Sequence, residues 1–224
     1  MEQGAKQRDH ILALALLASP FYLNDLANIY VKSWPLWLLI DYGFVKLFPL
    51  LVVSWLIRSG KVRASEFGLS PQGKLMFVRV FLAVAVAGTL IDQNGYRLIA
   101  GLPGYPALGA MPAITDPFWN WTDLTLGLLA VAVVEELVFR GYAYAFMSRY
   151  TRSPAAIVTV SSAAFGLIHW SLGLHCVLVT ASIGALFMIA YLRTRSLPAI
   201  MLAHFAVDFV DYAGVIPKSI FKLL

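Results

Sequence analysis

Apolar residues run along this chain in blocks separated by short stretches of charge, proline and glycine. The blocks predict helices near 10–31, 34–57, 74–92, 123–149, 153–169, 174–192 and 196–214. A hydrocarbon core about 30 Å thick takes about 20 residues of helix, so each block is close to the length of one crossing. The stretch 153–192 contains no Asp, Glu, Lys or Arg, and as one helix at 1.5 Å per residue it would be about 60 Å long. It must therefore fold back. The turn falls at His169-Trp170-Ser171-Leu172-Gly173, where Gly173 can end a helix and Trp170 suits an interface. The pattern thus predicts an all-α fold: a single domain, 1–224, built as a polytopic transmembrane bundle of about seven spans.

Composition supports that class and excludes two others. Of 224 residues, 60% are hydrophobic and 13% charged, against about 45–50% apolar and about 25% charged in soluble domains. The abundance of apolar and aromatic residues also excludes a disordered chain. The net charge of +5 resides at helix ends rather than in a patch, so it marks topology and not a nucleic-acid surface. Lys6, Arg8, Arg58, Lys61, Arg63, Lys74, Arg149, Arg152, Arg193 and Arg195 fall on one side of seven alternating spans. Only Lys32, Arg97, Lys218 and Lys222 fall on the other. Short cytoplasmic loops are enriched in Lys and Arg, so the N-terminus is expected in the cytoplasm. Cys176 is the only cysteine, which rules out an internal disulfide and a cysteine metal cluster.

Two segments invite other readings. The N-terminal basic residues followed by Ile11–Ala18 have the outline of a signal peptide, but apolar character resumes past Asn24 and Asp25, so the segment reads as a first span. The loop 93–122, rich in Gly, Pro and Trp, reads as an irregular interfacial cap, either a gate to the bundle or a passive connector.

Ionisable side chains at mid-span cost about 2.5–3.5 kcal/mol each on insertion scales, and they usually mark a site or a pathway. The fourth span carries Glu135, Glu136 and Arg140, the fifth ends at His169, and the seventh carries His204 and Asp208. Glu136 and Arg140 share a helix face one turn apart in the favourable order for an ion pair. Glu135 is rotated about 100° from Glu136 and must find its partner on another helix. His204 and Asp208 again share a face, which Asp211 continues. Counted from the basic helix ends at 1.5 Å per residue, Glu135 lies about 21 Å deep and His169 about 24 Å. Asn24, Asp25, Asp41, Lys46 and Arg79 are further polar groups within spans, attributable to inter-helix pairing or snorkelling.

The order Glu-Glu-x-x-x-Arg, then Phe-x-x-x-His, then His-x-x-x-Asp on three separate spans resembles the CPBP family of CAAX-protease and bacteriocin-processing intramembrane proteases. The resemblance covers about 123–214. It implies an intramembrane peptidase of glutamic type, acting on a membrane-associated protein or peptide, with Glu135 and His169 activating water and His204 and Asp208 on the oxyanion side. It implies that Glu136 and Arg140 support that structure. Asp208 stands where the family also places asparagine. An ionised aspartate only accepts hydrogen bonds, so its expected role is to orient His204 or to act in a protonated form. No cofactor is expected. The alternatives are a zinc protease with His169, His204 and a carboxylate as ligands, although the paired His-Glu-x-x-His signature is absent, or a non-catalytic transporter or scaffold. The short chain suits a prokaryotic cell membrane.

Overall fold

The computed structural model describes residues 2–69 and 73–223, with side chains from residue 10 onward. Seven helices and no strand are found among the described residues. They are α1 (Glu2–Tyr30), α2 (Trp34–Arg58), α3 (Lys74–Ile99), α4 (117–147), α5 (Pro154–Leu167), α6 (Leu174–Thr194) and α7 (Leu197–Tyr212). α1 from His10, α2, α3 and α6 are long and apolar enough to cross a membrane. α5 and α7, at 14 and 16 residues, are shorter, and α4 carries the charged motif.

Local chemistry sets the helix ends. Asp116 caps α4, its carboxylate accepting from Trp119 N at 3.0 Å, with Pro117 in the first turn. Ser153 caps α5 in the same way from Ala156 N at 3.3 Å. α4 therefore begins at residue 117, six positions before the sequence pattern placed it, because an aspartate–proline start outweighs the aromatic, loop-like composition that follows. The predicted hairpin falls where expected: α5 ends at Leu167, a single 3-10 turn spans Trp170–Leu172, and Gly173 takes φ +95° before α6 begins.

α5 lies along α6, α3 packs on α6 and α7, and α7 packs on α4. α1 leans on α2, α4 and the turn after α5. The backbones approach closely where side chains are small. A Cβ on Gly166 would stand 2.5 Å from Val177 O of α6. On α3, Leu75, Val78, Leu82 and Val86 recur at helical spacing and are exposed, as a lipid-facing stripe would be.

The connections gather at two ends. At one, Arg149 reaches His10 and lies 3.6 Å from Glu66, Arg195 donates to Glu66 O at 2.6 Å, and Leu197 N donates to Gly68 O. At the other, the loop after α3 is fixed by Leu108 N to Ser171 O at 2.7 Å, Ala110 N to Asn28 O at 3.1 Å, and a hydrogen bond between His175 Nε2 and Leu102 O at 3.0 Å. The basic connections identified in the sequence thus share one end of the bundle.

Candidate functional site

Two of the helices that carry central charges, α4 and α2, depart from α-helical register. α4 contains π-helical turns at Asp123–Gly127 and Leu137–Tyr142, and α2 contains one over Leu39–Leu47. Such insertions are rare and concentrate at functional sites. Glu135 and Glu136 sit just before the second π segment of α4, and Asp41 and Lys46 lie within that of α2.

His204 on α7 is the hub. Its Nδ1 is 2.8 Å from Glu136 Oε1, and its Nε2 is 3.3 Å from Asp208 Oδ2 and 3.9 Å from Glu135 Oε2. The ring is wedged between Phe165 and Phe187, with centroids 5.9 and 5.4 Å away. Glu136 is fully buried and also lies 3.1 Å from Arg140 Nη1. The guanidinium gives its flat face to Phe165 at 4.0 Å and Phe187 at 5.3 Å. Those two phenylalanines therefore cover the guanidinium, which is fully buried, while flanking His204. Gly184 makes room for this stack, since a Cβ there would fall 2.9 Å from Phe165 and 3.4 Å from Arg140 Nη2.

Glu135 finds its partner on another helix, as its rotation from Glu136 requires. Oε1 lies 3.5 Å from Lys46 Nζ, and Lys46 lies 3.2 Å from Asp41 Oδ1, which accepts from Asn24 Nδ2 at 2.9 Å. Inter-helix pairing thus accounts for Asn24, Asp41 and Lys46.

His169 sits at the end of α5 with its ring edge-on to Phe165 at 5.8 Å and its Nδ1 buried without a hydrogen-bond partner. The adjoining turn is clamped from α1: Ser171 N donates to Asp25 Oδ2 at 2.5 Å, Asn28 donates to Asp25 and Ser171, and Trp170 Nε1 donates to Tyr22 O. Asp25 is thereby committed to this turn.

One cavity of about 490 Å³ joins these groups. Glu135, His169, His204 and Asp208 all line it, with Lys46. It extends to Met111–Ile114 of the long loop and to Asp211, which is held by Lys218 at 2.5 Å and Gln93 at 3.2 Å. The loop therefore forms part of the cavity wall. Glu136 and Arg140 lie behind that wall, both fully buried. Among the described residues, no three His, Cys, Asp or Glu side chains are grouped so as to hold a metal ion.

Two links went unread in the sequence. The Glu136–His204 contact joins motifs on different helices, so no spacing along one helix reveals it. Asp41 and Lys46, five apart, do not share a face in a regular α-helix, whereas an i→i+5 register aligns them. The only signal was the presence of two opposite charges in an apolar block.

The comparisons agree with the motif reading. Residues 117–210 match the family model described as type II CAAX prenyl endopeptidase Rce1-like. No curated protein and no solved structure gives a match.

Proposed function

We propose that this chain, whose residues 117–210 match the Rce1-like family model, is an intramembrane endopeptidase of the CPBP type that cuts a membrane-associated protein or peptide by glutamate-activated water. The observation that carries the reading is the single cavity that Glu135, His169, His204 and Asp208, from three helices, line together. Peptide hydrolysis needs a proton acceptor for water, a donor for the developing oxyanion and a proton for the leaving amine.

Glu135 is the base. Its Oε2 faces His204 and the cavity, placing it to take a proton from water as the oxygen attacks the carbonyl, then to pass that proton to the departing nitrogen. His169 approaches the same volume with a ring nitrogen for the water or the leaving group. His204, anchored through Nδ1 by Glu136, presents Nε2–H to the oxyanion. Asp208, 3.3 Å from that nitrogen, accepts the same Nε2–H in the resting site and so aims the ring, and the hydrogen turns to the oxyanion as its charge develops. Glu136 and Arg140 keep the anchor fixed. All of these steps use side chains of this chain, without a metal.

The test uses the chain reconstituted in lipid vesicles with a quenched-fluorescent peptide carrying a prenylated cysteine and a Cys-aliphatic-aliphatic-X end. Wild type cleaves it, and Glu135→Gln lowers kcat by about 100-fold or more, the scale of a lost general base. Near wild-type hydrolysis by Glu135→Gln overturns the assignment.

A further inference from the structure

Lys46 lies outside the residues that match the family model, yet it lines the cavity and contacts Glu135. We propose that Lys46 is a positioning residue for Glu135: its ammonium, shared with Asp41, tethers one carboxylate oxygen and leaves the other facing His204 and the cavity. The proposal rests on the reading of Glu135 as the base.

Three observations support it. The first is register. A regular helix would turn residues five apart about 140° from each other at 3.6 residues per turn, and the π segment Leu39–Leu47 instead brings Lys46 to 3.2 Å from Asp41. α2 thus departs from its default geometry at the point where it meets Glu135.

The second is charge. The side chains of Lys46, Asp41 and Glu135 retain only 8%, 4% and 7% of their accessible surface. A pair with Asp41 alone would already neutralise Lys46. A second carboxylate on the same ammonium leaves negative charge in a desolvated place, which is costly unless further hydrogen bonds or charges meet it. That excess falls on Glu135, beside the cavity.

The third is the way the load is divided. Lys46 is nearer Asp41, 3.2 Å against 3.5 Å, and Asp41 is itself held from α1 by Asn24. When Glu135 takes up a proton and loses its charge, Lys46 still has Asp41. The ammonium is never stranded during turnover, and Glu135 returns to the same tether when it gives the proton up. A lysine bound to Glu135 alone would lose its only carboxylate at that step.

The experiment compares variants in vesicles with the same prenylated peptide. Lys46→Met lowers kcat by about tenfold or more with KM within about twofold, as expected when a reacting group loses its alignment rather than the substrate its binding. Lys46→Arg restores kcat to within about threefold of wild type, because it keeps the cation. Because Lys46→Met strands two buried carboxylates, Asp41→Asn/Lys46→Gln serves as the second variant. It removes the cation together with one acid, keeps the melting temperature near that of wild type, and still loses kcat. The proposal is overturned if either cation-free variant keeps wild-type kcat, if only KM changes, or if Lys46→Arg is as impaired as Lys46→Met. Wild type failing to cleave the peptide overturns the proposed activity on it, and Glu135→Gln cleaving it normally overturns the assignment of Glu135; both are measured before the Lys46 variants are compared.

Discussion

At the scale of single residues, His204 shows how much is settled by what surrounds one ring. Glu136 takes Nδ1 and two aromatic rings fix the plane, so only Nε2 is left for chemistry. Asp208 meets that nitrogen at 3.3 Å. If its task is to accept from Nε2–H, an amide oxygen can do the same. Asp208→Asn should therefore lower kcat less than about fivefold, whereas Asp208→Leu, of similar bulk without an acceptor, should lower it about 100-fold, the lower end of what a positioned acid–base group contributes. The peptide assay measures both. The His204–Asp208 and Glu136–Arg140 contacts were legible in the sequence because four residues make one helical turn, and the structure places them at 3.3 and 3.1 Å. The Glu136–His204 and Glu135–Lys46 contacts were not, because helix–helix register is set by packing across the bundle and leaves no trace in the spacing along either chain segment.

Among the elements, the hydrophobic pattern located all seven helices. It misjudged three ends: α1 starts at Glu2, α3 continues to Ile99, and α4 starts at Pro117. Tryptophan and asparagine at 119–121 resemble a loop by composition, while the capping chemistry of Asp116 and Pro117 indicates a helix, and the capping wins. Element packing also turns on one glycine. A side chain at Gly184 of α6 would press on Phe165 at 2.9 Å, the ring that stacks on Arg140 and borders both histidines. Gly184→Val should destabilise the bundle by about 1–3 kcal/mol, the usual cost of overpacking, and reduce peptide cleavage with it. Gly101→Ala, whose Cβ meets nothing within 4 Å, is the control and should leave the melting temperature unchanged. Thermal melts in detergent compare the two.

For the molecule as a whole, the structure gives a spatial meaning to the uneven distribution of basic residues. The connections bearing Arg149 and Arg195 meet near Glu66 at one end. The cavity lies toward the other, where Met111–Ile114 of the long loop complete its wall. With the basic end in the cytoplasm, as the ten-to-four distribution of Lys and Arg indicates, the polar lining of the cavity extends toward the far leaflet. The segment to be cut would then enter from that side or laterally from the bilayer. Cysteine accessibility decides this. In a Cys176→Ser background, Ala107→Cys should react with a membrane-impermeant maleimide added to intact cells, and Ser59→Cys should react only after the membrane is opened. Both positions are exposed in the bundle, so the labelling pattern reports sidedness rather than burial. The reverse pattern would put the loop and the cavity's polar end toward the cytoplasm, and the charge bias would then reflect packing among the helix ends rather than insertion.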